Sequence, residues 1–202
     1  MGESSSPIVF TWQPVTADRW DDFEQVFGIK GAMAGCWCMW WRLTRKEFDA
    51  LGGSGRREAM RQIILSGRVP GILAYAGGVP AGWCSIAPRE EFSSLERSRV
   101  LARVDDQPVW SLVCFYIRNA FRRKGLMNFL VQSALEHARG NGARIVEAYP
   151  TCREGRLPPV TTYQGLLAAF SRQGFIEVVR RSDAHAVMRY DLAGNDPPRP
   201  EI

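Results

Sequence analysis

A strand, a basic loop and a long helix follow one another between residues 109 and 140, and this order restricts the fold more than any other feature. Val109 to Ile117 is an almost unbroken apolar run, whose length suits a strand buried on both faces. After a polar stretch, apolar residues return with helical spacing, at Met127, Leu130, Val131, Ala134, Leu135 and Ala138. Gly140 and Gly142 are predicted to end this helix.

The loop between the strand and the helix predicts an anion site. It contains Arg122-Arg123-Lys124-Gly125 directly before the helix. The first N–H groups of a helix lack internal partners, and the helix dipole adds positive charge there. Gly125 would let a phosphate approach the backbone closely, so two linked phosphates would fit. The standard nucleotide loops, G-x-x-x-x-G-K-[ST] and G-x-G-x-x-G after a strand, are absent. An exposed basic helix start without a ligand is the alternative.

The rest of the chain predicts a mixed sheet with helices on its faces. Strands are expected at residues 8–12, 72–75, 81–86, 144–149, 175–180 and 185–190, and helices at 20–27, 56–66 and 162–173. Gly77-Gly78 is expected to turn a hairpin. We expect one domain over residues 8–192, with flexible tails at 1–7 and 193–202.

Charge and composition restrict the partners and the compartment. Lys and Arg total 26 against 21 Asp and Glu, a net charge of +5 that fits an anionic ligand as well as nucleic acid. The cations form one compact group instead of a long basic arm, so no nucleic acid is expected. No run reaches the roughly 18 apolar residues of a membrane span, and the N-terminus lacks a signal-peptide pattern. Five cysteines suit free thiols in a reducing compartment, and a cytoplasmic location is expected.

The central segment resembles the acetyl-CoA-binding core of the GNAT N-acetyltransferase superfamily. Members carry a loop [QR]-x-x-G-x-[GA] between strand and helix, and here it reads Arg122-Arg123-Lys124-Gly125-Leu126-Met127. Met127 departs from the small residue usual at the last position. Downstream, residues 168–175 resemble the helix-to-strand ending F-Y-x-x-x-G-F. The resemblance spans roughly residues 8 to 192. It implies an α/β (α+β) GNAT-like acyl-CoA N-acyltransferase fold, with a central mixed, mostly antiparallel sheet flanked by helices.

The resemblance also implies an acetyl-CoA site, whereas the cysteine and histidine spacing predicts that there is no metal. The pantetheine arm would lie between the splayed strands 109–117 and 144–149, and a backbone N–H near Cys114 or Phe115 would polarise the thioester carbonyl. The cofactor-binding residues would be Phe115, Tyr116, Ile117, Arg122, Arg123, Lys124, Gly125, Leu126, Met127 and Asn128. A primary amine of a small molecule or peptide would attack directly in a ternary complex. The alternative is a non-catalytic acyl-CoA-binding or regulatory module on the same fold.

Candidates for acid and base catalysis are sparse. Strand 109–117 carries no carboxylate, so Glu147 is the candidate base, on a strand face otherwise free of charge. Glu147 paired with an arginine or facing solvent is the alternative. The tyrosine that family members use as general acid is replaced by Phe170, which leaves Tyr163 or water to protonate the thiolate.

The segment Gly35-Cys36-Trp37-Cys38-Met39-Trp40-Trp41 is the most unusual in composition. Cys36 and Cys38 supply only two of the four ligands of a zinc site, so small buried apolar residues are the preferred interpretation. Trp37 and Trp40 either pack in the core or line an acceptor pocket suited to an apolar or cationic amine.

His137 is expected on the solvated side of its helix. The terminal hairpin offers an edge through which a homodimer is possible.

Overall fold

A seven-stranded sheet forms the centre of the computed structural model, which describes residues 8–152, 163–165 and 167–194. Its strands are β1 (Phe10–Pro14), β2 (Gly71–Ala76), β3 (Val79–Pro88), β4 (Trp110–Ile117), β5 (Ile145–Ala148), β6 (Ile176–Val179) and β7 (Val187–Asp191). Their order is β1-β2-β3-β4-β5-β7-β6. Within the described ranges every neighbouring pair is antiparallel except β4 and β5. This confirms the expected mixed, mostly antiparallel sheet.

Five helices accompany the sheet in the described residues: α1 (Trp20–Phe27), α2 (Arg45–Leu65), α3 (Ser93–Glu96), α4 (Leu126–Gly140) and α5 (Leu167–Ser171). Short 3₁₀ turns lie at Ala17–Arg19, Met33–Gly35, Arg89–Glu91 and Asn119–Phe121. None of these helices is long and apolar enough to cross a membrane.

The alternation of side chains along the strands divides the core between the two faces of the sheet. On β2, Ile72 and Ala74 belong to the apolar cluster that contains α4. Leu73 and Tyr75 belong to the cluster that contains α1 and α2. The sheet is therefore covered on both sides, as expected from a hairpin followed by a strand–helix–strand unit.

Strands β4 and β5 separate after a short parallel contact. Only Trp110–Leu112 pairs with β5, while β4 continues to Ile117. On the other side of β4, the register with β3 jumps between Leu112 and Cys114, so that Val113 forms a bulge. The expected splay between the two central strands is confirmed.

Helix α2 is longer than the sequence pattern predicted. It begins at Arg45 because Thr44 and Glu47 form a capping box, each side chain bonding the backbone N–H of the other. The helix bends at Gly52, whose φ of +59° is in the left-handed region. The apolar residues recur with helical spacing only after this bend. For this reason the sequence predicted a helix over residues 56–66 alone.

The expectation that His137 is solvated is wrong. Its side chain is buried, with 7% of the residue exposed, and the ring meets Trp12 and Trp110 edge-on. The two tryptophans come from β1 and β4, so the pattern of α4 alone could not reveal this contact. Of the predicted tails, residues 1–7 and most of 193–202 lie outside the described residues, which end at residue 194. Strand β6 is a sheet edge, and the homodimer stays a prediction.

Candidate active site

The loop before α4 has the geometry expected of an anion site. Gly125 is the N-cap of α4 with a φ of +85°, a conformation that favours glycine. A Cβ at this position would meet nothing within 4 Å, so the space in front of the first helical turn is open. Arg122, Arg123 and Lys124 are exposed beside it. The arrangement leaves room for phosphate at the helix start, directly after three exposed cationic residues.

The loop is held to the end of β4 and to the first turn of α4. Arg122 Nε donates to the Ile117 carbonyl oxygen at 3.0 Å. The N–H groups of Asn128 and Phe129 donate to the Gly125 carbonyl oxygen at 3.0 and 3.3 Å. The predicted cofactor residues from 122 to 128 therefore form one continuous turn between strand and helix.

Met127 and Leu126 point to different parts of the protein. Leu126 is 1% exposed in the apolar core. The Cε of Met127 lies 3.0 Å from the position of a Cβ built on Gly165. Met127, which replaces the family's small residue, therefore contacts segment 163–165, which follows β5 in the chain.

Segment 163–165 bonds to β4 and to the residues that follow β5. The Phe115 N–H donates to the Tyr163 carbonyl oxygen at 2.7 Å, and the Thr151 N–H donates to the Gly165 carbonyl oxygen at 3.1 Å. The family resemblance predicts that the Phe115 N–H faces the pantetheine arm or the thioester. In this structure that N–H already has a protein partner, so an arm bound at this position must displace the Tyr163 carbonyl.

A cavity of about 510 Å³ opens on the α1 and α2 side of β4. Aromatic side chains form much of its wall, namely Phe27, Trp40, Trp41, Phe48, Tyr116 and Tyr163. Its charged residues are Arg45, Asp49 and Arg56, of which Arg45 and Asp49 pair at 2.7 Å. This is a largely apolar space directly beside the strand that carries Phe115.

The two candidate tryptophans have different positions. Trp40 lines the cavity and is 42% exposed, as the pocket interpretation requires. Trp37 is 4% exposed and stacks on Phe27 with ring centroids 5.7 Å apart, as the core interpretation requires. A Cβ on Gly31 would meet the Trp37 ring at 2.2 Å, so this packing depends on glycine.

Glu147 is buried in a network of cations. Its Oε1 accepts from Arg189 Nε at 2.9 Å, and its Oε2 accepts from Arg89 Nη1 at 3.2 Å and from the Tyr149 hydroxyl at 2.8 Å. Arg189 also pairs with Asp105, which holds the pKa of that carboxyl well below its usual range. The strand itself carries no other charge on this face, but Arg89 and Arg189 reach Glu147 from other elements, so the alternative of a Glu147 paired with arginine is confirmed. Among the described residues that line the cavity, Glu147 is absent.

The residue at the family's general-acid position lies in the apolar core. Phe170 is fully buried and packs against Phe115 and Phe175, with ring centroids 6.0 and 5.1 Å apart. Tyr163 lines the cavity with its ring 6.2 Å from that of Tyr116. Burial, followed by nearby Tyr116, raises the pKa of the Tyr163 hydroxyl, which therefore keeps its proton at neutral pH. A proton donor is thus available on the segment that bonds to Phe115.

The buried cysteines on the two faces of the sheet differ in acidity, a feature that sequence reasoning missed. Burial raises the pKa of Cys36 to about 11 and also raises that of Cys84. The neighbouring thiol of Cys114 is the largest influence on Cys38 and lowers its pKa. All five cysteines are free, and the described residues contain no group of three or more ligands suited to a metal ion.

The chain belongs to the GNAT acetyltransferase family. The family model described as "Acetyltransferase (GNAT) family" matches residues 37–164, which include the basic loop, β4, β5 and much of the cavity wall. Membership indicates acyl-CoA-dependent N-acyltransferase activity. No curated protein matches the sequence significantly.

Solved structures share the fold at low identity. The PaiA N-acetyltransferase of Thermoplasma acidophilum, in complex with coenzyme A, has a TM-score of 0.51 at 10% identity, over 91% of this chain and 99% of its own. YncA of Salmonella typhimurium, with its cofactor acetyl-CoA, has a TM-score of 0.51 at 15% identity, over 95% and 98%. The loading GNATL domain of CurA from Lyngbya majuscula has a TM-score of 0.54 at 12% identity, over 93% and 100%. At these identities the likeness demonstrates the fold.

Proposed function

We propose that this protein transfers an acetyl group from acetyl-CoA to a primary amine of a small molecule or peptide, by direct attack in a ternary complex. The observation that carries the proposal is the position of Gly125. It opens the start of α4 to phosphate at one end of the β4–β5 splay, and the apolar cavity lies beside the same strand. PaiA and YncA, which share the fold, contain coenzyme A and acetyl-CoA respectively.

The cosubstrate supplies the activated acyl group, and the chain's residues hold it. In this proposal Arg122 to Asn128 bind the pyrophosphate through helix N–H groups and cations. The backbone of Phe115, Tyr116 and Ile117 pairs with the pantetheine arm. The Phe115 N–H exchanges the Tyr163 carbonyl for the thioester carbonyl and stabilises the negative charge that develops on that oxygen.

The amine binds in the cavity. Trp40 and Trp41 offer aromatic faces on which an apolar or aromatic amine would pack, and an ammonium group gains from aromatic faces as well. An amine with a pKa near 10.4 is only about 0.04% neutral at pH 7. The apolar wall favours loss of the ammonium proton because burial disfavours the charged form.

Tyr163 is the proposed proton donor to the departing thiolate. Its hydroxyl stays protonated at neutral pH, and its backbone already contacts the strand at which the thioester would lie. Glu147 has both carboxylate oxygens engaged by Arg89, Arg189 and Tyr149. The proposal therefore gives Glu147 a positioning role within the sheet.

A second candidate function is a non-catalytic acyl-CoA-binding or regulatory module. Phe170 at the tyrosine position and the engagement of Glu147 favour it. Only the transferase would convert acetyl-CoA and an amine to products. Release of free CoA thiol in the presence of an amine panel supports the transferase, whereas tight binding without thiol release supports the module.

Calorimetric titration with acetyl-CoA tests the cosubstrate site. Wild type is expected to bind in the micromolar range. Gly125→Glu puts a carboxylate where phosphate should lie and is expected to weaken binding by about tenfold or more. Gly142→Glu is the matched control, since Gly142 has a φ of +81° and open space but lies beyond the opposite end of α4. Folded wild type that does not bind acetyl-CoA would overturn both candidate functions.

A further inference from the structure

Arg56 on α2 is buried without a carboxylate partner in the described part of the chain. Three arginines are buried there, namely Arg42, Arg56 and Arg89. Arg42 Nη1 lies 2.5 Å from Glu91, and Arg89 Nη1 lies 3.2 Å from Glu147. Arg56 is only 9% exposed, yet its side chain bonds to backbone carbonyl oxygens alone. Buried cations are rarely left without an anion, because removal of a charge from water is costly. An anion from outside the chain would supply the missing partner.

The packing around Arg56 holds its guanidinium in place and leaves one end unused. Its Nε donates to the Gly52 carbonyl oxygen at 2.7 Å, and its Nη2 donates to the Ala34 carbonyl oxygen at 3.2 Å. The guanidinium carbon lies 4.0 Å from the centroid of the Phe48 ring. Arg56 lines the cavity, and its Nη1 donates to no group among the described residues. A guanidinium already fixed in this way binds a carboxylate with little further loss of entropy.

The other charges on the cavity wall do not compensate Arg56. Within the described ranges the wall contains two cations, Arg45 and Arg56, and one anion, Asp49. Arg45 Nε donates to Asp49 Oδ2 at 2.7 Å, and these two side chains are 70% and 54% exposed. They form an ion pair at the solvent edge of the cavity, so the buried charge of Arg56 is the one that favours an anion inside.

A second polar group on the wall lacks a partner. The amide Nε2 of Gln164 is buried and forms no hydrogen bond within the described residues, although Gln164 lines the same cavity. A buried amide without a partner is costly, and this one carries two N–H donors. Gln164 follows Tyr163, whose carbonyl oxygen accepts from Phe115. The cavity therefore offers unused donors from α2 and from segment 163–165.

We propose that the acceptor amine also carries a carboxylate, and that Arg56 binds this carboxylate with Gln164 as a second donor. The inference rests on the proposed acetyl transfer and names its substrate class, an amino acid with an apolar or aromatic side chain. Trp40, Trp41 and Phe48 supply aromatic walls for that side chain. A cavity of about 510 Å³ has the size of a small-molecule site.

The carboxylate orients the amine and takes no part in the bond changes. Cys114 and Tyr116, which flank Phe115 on β4, line the cavity with Arg56, so one ligand can meet α2 and β4 together. The ammonium group loses one proton to solvent, and its lone pair forms the N–C bond. The C–S bond to CoA breaks with its electrons on sulfur, which takes a proton from Tyr163. Tyr163 regains a proton from the acylated nitrogen, and one proton is released per turnover.

The first test compares acetyl transfer to L-phenylalanine and to 2-phenylethylamine, which is the same molecule without the carboxylate. Wild type is expected to prefer L-phenylalanine at least tenfold in kcat/KM. Arg56→Met should remove most of this preference by lowering kcat/KM for L-phenylalanine about 10- to 100-fold more than for 2-phenylethylamine. Arg56→Lys keeps the charge and should retain part of the preference. An equal loss for both amines indicates a merely structural role and overturns the proposal.

Two further arginine variants locate the effect. Arg57 is the next residue of α2 and pairs with Glu24 outside the cavity wall, so Arg57→Gln is expected to keep the wild-type preference. Arg45→Gln removes the cation already paired with Asp49 and should also keep it. Loss of the preference in Arg45→Gln, with retention in Arg56→Met, would overturn the assignment to Arg56.

The second test measures binding without turnover. Calorimetry with 3-phenylpropanoate, which has the aromatic body and the carboxylate but no amine, is expected to show binding to the CoA-bound protein. Arg56→Met should weaken it about 10- to 100-fold, and Gln164→Leu should weaken it less. The uncharged 3-phenylpropanamide should bind wild type at least tenfold more weakly, a comparison that needs no variant to fold. Equal binding of the acid and the amide by wild type would overturn the proposal.

The two proposals fail in different ways. If acetyl-CoA binds without release of thiol in the presence of either amine, the transferase fails, whereas binding of 3-phenylpropanoate that depends on Arg56 still demonstrates the carboxylate site. If 2-phenylethylamine is acetylated as efficiently as L-phenylalanine, the transferase stands and the carboxylate site is refuted.

Discussion

Arg89 Nη1 lies 3.2 Å from Glu147 Oε2, in an ion pair whose two side chains are each 1% exposed. The pair joins the loop after β3 to strand β5 and is completed by Arg189 from β7. Removal of one partner from such a pair leaves an uncompensated buried charge, which is far more costly than loss of an exposed ion pair. The sheet therefore depends on the presence of both partners at the point where β4 and β5 diverge.

Glu147→Gln is expected to lower the free energy of unfolding by about 3 kcal/mol, because it removes the anion between two arginines. Urea denaturation measures the change. Glu177→Gln is the matched control, since it breaks the exposed pair with Arg180 and is expected to cost less than about 1 kcal/mol. If Glu147→Gln were instead as stable as wild type and inactive in transfer, Glu147 would be the catalytic base.

Trp40→Ala and Trp37→Ala are expected to act on different properties. Trp40 lines the cavity, so its truncation should raise the KM for the amine about tenfold while the protein stays as stable as wild type. Trp37 stacks on Phe27 in the core, and its truncation should cost about 3–5 kcal/mol of stability. Steady-state kinetics and urea denaturation of both variants give the comparison. An unchanged amine KM in Trp40→Ala would remove Trp40 from the acceptor site.

Tyr163→Phe is expected to lower kcat about 10- to 100-fold with little change in the KM for acetyl-CoA, because it removes the proposed proton donor and keeps the ring. Tyr116→Phe is the control, as Tyr116 lines the same cavity and stacks near Tyr163. Thiol release measures both. A loss confined to Tyr116→Phe would assign the donor to that residue.

Acid is expected to destabilise the protein through His137. Burial lowers the pKa of this imidazole below its ordinary 6.5, so the neutral ring is the form that the folded state favours. As pH falls below 6.5, the unfolded chain takes up the proton more readily than the folded chain, and stability is lost until pH passes below the folded-state pKa. Urea denaturation between about pH 5 and pH 7.5 reveals this as a slope in stability.

His137→Phe and His137→Gln should both flatten that slope, because neither side chain titrates. Phenylalanine also suits the space between Trp12 and Trp110, whereas glutamine tests the loss of the titrating group without added apolar surface. A wild-type slope retained in both variants would show that other groups set the acid sensitivity.

The sequence alone determined the features that depend on neighbouring residues. The apolar run of β4, the stripe of α4 and the basic loop between them identify the strand–loop–helix unit, because periodicity and helix-end chemistry act within a few residues. Gly125 and the Gly77-Gly78 turn follow from the same local rules, since each needs a positive φ. These elements were sufficient to predict the mixed sheet and the anion site.

Only the tertiary structure decided which charges and thiols meet. Glu147 is 58 residues from Arg89 and 42 from Arg189, and Cys38 is 45 residues from Trp83. Whether a carboxylate is free or paired, or a cysteine is inert or acidic, depends on burial and partners that only the folded sheet brings within hydrogen-bond distance. Residue type and spacing predicted where these groups lie along the chain, and packing decided what each of them can do.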